Sequence, residues 1–483
     1  MKDLLLKAYL SHQLDSQSSI CLKIPDTIYF MGICGTAMAG LAVYLKQKGF
    51  NVLGSDQNIY PPMSLELKKA RIPVFNYDEN NIKDSIKLIV VGNVISSHHK
   101  EMLKAREKQI PIISFPEFLK QSLLLKTKNI VIIGTHGKST SSALMSHVAE
   151  QTHQNPNFFI GAVANDFSSS FRVTPSPYFI LEGDEYDSSF FAKRAKFFYY
   201  KPSYALLTSL EFDHADIYNN IEEIKKAFCE FVKKIPAEGC LVAYADSPYI
   251  EELLSFCSAK VLTYGSKKGD FRIGSREVND KGQTFEVFTE SKKFKLSTPL
   301  FGEHNALNTL GVFVLAYHLK WSESQILSAL KNFKGLKRRM EFRFKFKGAK
   351  IFEDFAHHPT AVKASLSALR ERYPHQRILA LFEPRSFTSR LNVFQKDYIS
   401  AFSPADLIFI APSYNSFKIP QDKRFSIEQL VEDLKKQKKQ AFKFSNFKDL
   451  EEKFKKTLKA NDIAIFMSSG SFGSLLNKFL SSI

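Results

Sequence analysis

A glycine-rich turn that ends in a lysine and a hydroxyl, Gly134-Thr135-His136-Gly137-Lys138-Ser139-Thr140, carries the residue types of a phosphate cradle. Glycines let backbone N–H groups close around phosphate oxygens, and a helix N-terminus behind them adds positive potential. A lysine at the position of Lys138 reaches the terminal phosphates, and the Ser139 hydroxyl can sit on Mg²⁺. The spacing is unusual: where the common phosphate loop begins with a glycine this chain has Ile132, which gives the shortened form G-T-H-G-K-S. Further on, Tyr178-Phe179-Ile180-Leu181 runs into Glu182-Gly183-Asp184-Glu185-Tyr186-Asp187, and Tyr204-Ala205-Leu206-Leu207-Thr208 runs into Glu211-Phe212-Asp213-His214. Parallel α/β sheets bind ligands outside the carboxyl ends of their strands, so these acids and His214 are expected to converge on the phosphate loop. Several of the acids would cap helices instead, Asp184 and Asp187 being good candidates. One oxygen from each strand end is enough for a Mg²⁺ that keeps several waters. Nitrogen donors favour zinc, so the residues alone leave open whether His214 binds the metal or borders it.

The elements that must hold these residues are legible in the pattern. The β-branched run Asn129 to Ile133 enters the turn, and Ala143-Leu144-Met145 with Val148 makes a helix after it. Three such strand–glycine-turn–helix units divide the chain into three consecutive α/β domains. Their expected extents are 1–126, with 1–25 as an N-terminal extension, then 127–335 and 336–483. The first unit runs from Thr27-Ile28-Tyr29-Phe30-Met31 into Gly32-Ile33-Cys34-Gly35-Thr36-Ala37-Met38-Ala39-Gly40. Its second strand, Asn51-Val52-Leu53, ends in Gly54-Ser55-Asp56, and an acid there commonly meets a ribose. Gly32, Gly35 and Gly40 depart from the G-x-G-x-x-G spacing, so another nucleotide diphosphate fits at least as well as NAD. Lys334-Gly335-Leu336-Lys337, a glycine interrupting a charged stretch, is the expected hinge before the third domain.

Composition excludes several classes. No apolar run approaches the roughly 18 residues of a membrane span, and Leu4-Leu5-Leu6 is too short for a signal-peptide core. The five cysteines show no C-x-x-C, which suggests neither a disulfide framework nor a zinc site and fits a reducing cytoplasm. A net charge of +18 invites a nucleic-acid reading. Yet the lysines are spread over solvated helix faces such as Lys435-Lys436-Gln437-Lys438-Lys439, and small polyanionic substrates suit the excess as well. No nucleic-acid partner is expected.

The ordered motifs G-T-H-G-K-S, E-x-D-E-x-D, E-F-D-H, G-E-H-N-x-x-N, R-R-M-E and E-D-F-A-H-H-P-T resemble those of the Mur ligases, ATP-dependent amide-forming enzymes of peptidoglycan assembly. The likeness runs from about residue 26 to the C-terminus and is strongest to the branch that uses UDP-N-acetylmuramate. Inside that branch it is similar to the recycling ligases that attach the tripeptide L-alanyl-γ-D-glutamyl-meso-diaminopimelate. That likeness lies in Tyr60-Pro61-Pro62-Met63-Ser64, Glu185-Tyr186-Asp187, Phe190 to Phe197, Phe355-Ala356-His357-His358 and Glu383-Pro384-Arg385-Ser386. The L-alanine-adding sister typically has Ser at the position of Tyr186 and a Q-P-H-R run near Glu383, and it is the alternative.

The resemblance implies a Rossmann-like UDP-binding domain, a central P-loop ATPase-like domain and a Rossmann-like C-terminal domain. It implies ATP held by the loop Gly134 to Thr140, with Lys138 on the β/γ-phosphates. It implies Mg²⁺ on Ser139, Glu182 and His214, adenine near His304, Asn305 and Asn308, and Arg339 and Asp354 closing over phosphates and ribose. Lys138, Glu182, His214 and Arg339 are the expected catalytic group. The UDP sugar is expected on Gly32, Gly35, Thr36, Ala37, Met38 and Asp56. The third domain is expected to present the peptide amine, with Arg385 and Arg390 as bidentate partners for its carboxylates. For His357-His358, a turn before Pro359 and a role beside the nucleotide are equally open. Pro359 suits a first helical position, with Val362, Leu366 and Leu369 as that helix's buried stripe.

Overall fold

The computed structural model describes residues 3–10, 13–59, 63–215, 217–415 and 419–481. Tyr60-Pro61-Pro62, quoted above, lies outside them. Three mixed sheets succeed one another along the chain, as the three repeated units predict.

In the first sheet Thr27–Met31 is central, with Asn51–Ser55 and Ile86–Val91 parallel on either side. Val74–Phe75 and Pro111–Ser114 lie beyond them. Ile28 and Phe30 enter one apolar cluster while Tyr29 and Met31 enter another, which is why this strand reads as an unbroken apolar run. The N-terminal extension has a structural task. Asp3–Leu10 and Gln13–Lys23 form an antiparallel hairpin, and Tyr9 pairs with Ile112 on the edge of the sheet. Leu4, Leu6 and Ala8 are buried while Leu5 faces out, the alternation of a half-covered strand. The Tyr9 ring also meets Phe191 of the middle domain edge-on, with centroids 5.1 Å apart.

The middle sheet explains the site. Its order places the phosphate-loop strand Lys128–Ile133 between Tyr178–Glu182 and Pro202–Leu207, all three parallel. The two acid-bearing strand ends therefore flank the loop. Cys240–Tyr244 and Lys260–Gly265 continue the parallel part. An antiparallel meander, Phe271–Asn279, Gly282–Phe288 and Lys293–Thr298, then extends it; the motifs and spacings give no sign of it. The third sheet runs parallel through Ala349–Asp354, Ile463–Met467, Ile378–Phe382, Leu407–Ile410 and Gln440–Lys443, with Glu341–Phe346 as an antiparallel edge.

Two junctions differ from expectation. Gly40 does not face a ligand: it lies in the helix Thr36–Gln47, and a Cβ there would overlap Phe171 of the middle domain. This glycine exists for close packing between domains. Gly40→Val should therefore destabilise the fold by about 1–3 kcal/mol of overpacking, read as a lower thermal midpoint; an unchanged midpoint would mean that the two domains part without cost. The expected hinge at 334–337 is pinned instead. Asn165 N–H donates to Gly335 O, Lys337 N–H donates to Val163 O, and Ala164 bridges Leu336. The backbone turns one step later, where Arg338 and Met340 have φ of 58° and 51°.

Candidate active site

The phosphate loop is held by its neighbours. Gly137 adopts φ 84°, in the left-handed region, at the N-cap of the helix Lys138–Gln151, and a Cβ on it would overlap Asn308 Oδ1. Thr135 N–H donates to Ser209 O at 3.1 Å, and His136 N–H donates to Ser209 Oγ at 2.8 Å. The Thr208 hydroxyl donates to His136 O at 2.5 Å.

Lys138 Nζ donates to Gly134 O at 2.6 Å and contacts both oxygens of Glu185 at 2.8 Å. Burial opposes its charge, but Glu185 and then Asp184 outweigh that and raise its pKa. The Ser139 hydroxyl donates to Glu182 Oε1 at 2.7 Å, and Gly161 N–H donates to Glu182 Oε2 at 2.7 Å. His214 Nε2 lies 2.9 Å from Glu185 Oε1. Its ring is opposed by burial yet held charged above its ordinary value by Glu185. The Tyr186 ring stands edge-on to it at 4.2 Å. Glu185 thus joins Lys138 to His214, a role the sequence alone does not assign. The E-x-D-E-x-D run offers four acids without ranking them. Asp184 is paired with Lys196 at 2.6 Å, and against burial the lysines bring its carboxyl down to about 2.

Consecutive arginines from the third domain part ways. Arg338 anchors its own domain, bonding Glu353 at 2.8 Å and the carbonyls of Ser468 and Gly470. Arg339 lies over the Phe355 ring and reaches across to Ser139 Oγ at 3.5 Å. Asp354 accepts from Met340 N–H at 2.6 Å and Ala356 N–H at 2.7 Å, so it shapes the turn that carries Arg339. Asn305 Nδ2 donates to Phe301 O, and Asn308 Nδ2 donates to Asn305 Oδ1, which props Asn308 beneath Gly137.

The phosphate loop, Glu182, His214, Arg339 and Asp354 share one cavity of about 660 Å³ between the middle and third domains. Its walls include the loop from Thr135 to Thr140, Glu182, His214, His304, Asn305, Asn308, Arg339 and Asp354. Ser386, Phe387 and Ser469 line it too. Arg385 lies beside that wall, stacked 4.1 Å over Tyr414 and paired with Glu383 at 3.2 Å. Arg390 is spent on backbone carbonyls of Ser386 and Tyr414. His358 accepts from Thr360 N–H and caps the helix Pro359–Arg372, with Pro359 at its first position, and it also lines the cavity with His357.

In the first domain Asp56 accepts from Cys34 N–H at 2.9 Å and Asn58 N–H at 2.9 Å, which fixes the glycine loop. Gly35 caps the helix Thr36–Gln47 with no side-chain hydrogen bond and no acid in the first turn, an arrangement open to an anion. Met38 is buried in the domain core. A pocket of about 530 Å³ lined by Gln57, Asn76, Tyr77, His98, His99 and Lys100 opens beside these strand ends. None of the six stands out in the sequence, because they sit in loops with no shared spacing.

Models of three domains match in succession: Mur ligase family, catalytic domain over 27–127, Mur ligase middle domain over 132–316, and Mur ligase, glutamate ligase domain over 338–470. A UDP-N-acetylmuramate--L-alanyl-gamma-D-glutamyl-meso-2,6-diaminoheptandioate ligase of Haemophilus influenzae is 34% identical, with 94% of this chain and 98% of that protein covered. The chain belongs to the Mur ligase family. It is an ATP-dependent ligase that forms an amide bond. A UDP-N-acetylmuramate--L-alanine ligase of Clostridium kluyveri is 36% identical over 80% of this chain and 82% of that protein. Among solved structures, a murein peptide ligase from Psychrobacter arcticus has a TM-score of 0.72 and 27% identity, covering 94% of this chain and 98% of that one. The UDP-N-acetylmuramate-alanine ligase of Thermotoga maritima shares the fold, with a TM-score of 0.79 at 23% identity and the same coverage. No helix among the described residues is long and apolar enough to cross a membrane.

The histidines of this Mur ligase set an acid limit on its stability. His304 is brought down to about 4 by burial, then by Arg276, His136 and Arg339. His358 falls to about 4 through burial and then His136. Both bind protons more weakly folded than unfolded, so between pH 6.5 and 4 protons favour the unfolded chain. His214, shifted the other way, stabilises the fold below its ordinary value and loses that contribution as the pH rises. The denaturation midpoint should therefore drop as pH is lowered from 6.5, and His304→Gln should flatten the drop. A midpoint constant between pH 6.5 and 5 would contradict this.

Proposed function

We propose that this ligase joins the lactoyl carboxylate of UDP-N-acetylmuramate to the amine of L-alanyl-γ-D-glutamyl-meso-diaminopimelate, through an acyl phosphate. The observation that carries this reading is the Glu383-Pro384-Arg385-Ser386 run beside the nucleotide cavity, where Ser386 is part of the wall and Arg385 stands behind it. The full-length likeness to the Haemophilus tripeptide ligase supports it. L-Alanine as the acceptor is the second reading, favoured by the 36% identity to the clostridial enzyme. Comparing phosphate release from UDP-N-acetylmuramate and ATP with each acceptor separates the two. Turnover with L-alanine that equals or exceeds turnover with the tripeptide would overturn the first.

A carboxylate is a poor acyl donor, and phosphorylation by ATP supplies the leaving group. Phosphoryl transfer asks a protein for positioning and charge neutralisation, which accords with a site of Lys138 and Arg339 and no nucleophilic side chain. The oxygen pair Ser139 Oγ and Glu182 suits a hydrated Mg²⁺, which would neutralise phosphate charge, and His214 would border or complete that set. Glu182→Gln should accordingly raise the Mg²⁺ concentration needed for half-maximal rate by about tenfold or more, the scale of losing one carboxylate partner. An unchanged Mg²⁺ titration would move the metal elsewhere. Asp213 lines the cavity, and despite burial His214, His357 and His358 hold its carboxyl low, so it stays ionised beside the reacting groups. Arg385 would pair with a peptide carboxylate. In the first domain Gly32, Gly35, Thr36 and Ala37 would take the diphosphate at the uncapped helix start, and the pocket at Tyr77 and His99 would take the uridine. Both nucleotide substrates are made in the cytoplasm, where the enzyme would work.

A further inference from the structure

Outside the Ser139–Glu182 pair, the described residues hold one tight group of potential metal donors: His136, Glu211 and His358. It is built from two domains. His136 belongs to the phosphate loop, and Glu211 comes after the strand Pro202–Leu207. His358 starts the third domain's helix Pro359–Arg372. His136 Nε2 lies 3.5 Å from Glu211 Oε2, and His358 Nδ1 lies 4.0 Å from the same oxygen. One donor atom from each residue falls within 4.8 Å of the others. The two imidazoles lie with centroids 4.9 Å apart and planes tilted by 45°. His136 Nε2 and His358 Nε2 are both buried and make no hydrogen bond.

We propose that His136, Glu211 and His358 form a transition-metal site of the zinc type, which clamps the third domain onto the phosphate loop. Two imidazoles and a carboxylate with a fourth position left for water is a zinc donor set, whereas Mg²⁺ prefers oxygen alone. Zinc–donor bonds of about 2.0–2.1 Å set donors roughly 3.4 Å apart, so the group closes by about an ångström or less around most of its perimeter. His358 Nδ1 gives up one long hydrogen bond, from Thr360 N–H at 3.3 Å. The Thr360 hydroxyl donates to Glu211 Oε2 at 2.7 Å and orients the carboxylate. Because the donors come from both domains, the bound ion holds the cleft shut beside the phosphates and opposes nucleotide exchange.

The test uses the full-length chain, stripped with chelator and free of nucleotide. Titration with Zn²⁺ should give a site whose affinity falls at least about tenfold in Glu211→Gln and in His358→Asn. Asparagine keeps a helix cap at 358 and glutamine keeps the acceptor for Thr360, so both variants should hold their fold, to be checked by thermal melting. Glu182→Gln should leave that affinity unchanged. On the wild-type chain, Co²⁺ should give the intense visible bands of a tetrahedral site with nitrogen ligands. Zinc affinity that survives both variants, or that is lost in Glu182→Gln instead, overturns the proposal. So does a weak, octahedral Co²⁺ spectrum.

Discussion

Lys138→Ala should abolish ligation while leaving the fold intact. The ammonium is the buried cation closest to the phosphate cradle, fixed by Gly134 O and Glu185 rather than by any apolar packing. Its removal takes away the charge that tracks the migrating phosphoryl group. Loss of one such preorganised partner costs about 10²–10³ in rate, and here the loss should be larger. Glu185, Asp184 and Glu182 all act on Lys138, so its absence also turns their negative charge toward the phosphates, while His214 and Lys196 stay paired with Glu185 and Asp184 and hold the fold. The variant should bind ATP more weakly and should melt within a few degrees of the parent. Wild-type turnover in a folded variant would remove the ATP site from this loop.

Arg339→Ala should give the second largest loss. Arg339 is the third domain's cation in the phosphate cavity, 3.5 Å from Ser139 Oγ and steadied by the Phe355 ring. A guanidinium delivered from another domain to transferring phosphate is worth about 10³–10⁵ in rate in phosphoryl-transfer enzymes. The drop should fall on kcat, with the KM for the UDP sugar little changed, because the sugar is assigned to the first domain. Arg338→Ala should behave differently. That side chain ties Glu353 to the Ser468 and Gly470 carbonyls, so its loss should lower the thermal midpoint of the third domain. Equal kinetic effects from the two variants would refute the division of labour between neighbours.

Much of this is legible in the chain because the chemistry sits at strand ends. A β-branched run such as Asn129 to Ile133 announces a buried parallel strand, and the residues at its carboxyl end must lie at the ligand edge of the sheet. Hence Lys138, Ser139, Glu182 and His214 can be brought to one site from sequence, and the structure lines one cavity with them. The features that stay hidden depend on tertiary partners. Gly40 resembles part of a nucleotide loop because nothing local reveals that Phe171 will press on it. Glu185 is one acid among four until Lys138 and His214 arrive from elsewhere in the chain. Composition puts the hinge at Gly335, but the 163–166 loop pins that glycine by hydrogen bonds no pattern encodes. The meander at 271–298 carries none of the motif chemistry, so its strands leave no comparable signal.

The N-terminal hairpin bears on how the enzyme moves. Tyr9 against Phe191 and Gly40 against Phe171 fasten the first domain to the middle one at two separate places. The third domain instead hangs from a short turn at 338–340, meeting the middle domain through polar contacts such as Thr360 to Glu211 and Arg276 to Glu371 and through ring contacts of Phe212 with Phe394 and of Arg372 with Phe301. A three-body machine is thereby reduced to a single joint. On the assignment proposed above, opening at that turn would uncover the nucleotide and the amine together, while the sugar's cradle in the first domain would keep its place against the middle domain. Sugar binding should then need no domain opening and proceed at ordinary diffusional rates, and the slow step, slowing further as solvent viscosity rises, should belong to ADP release.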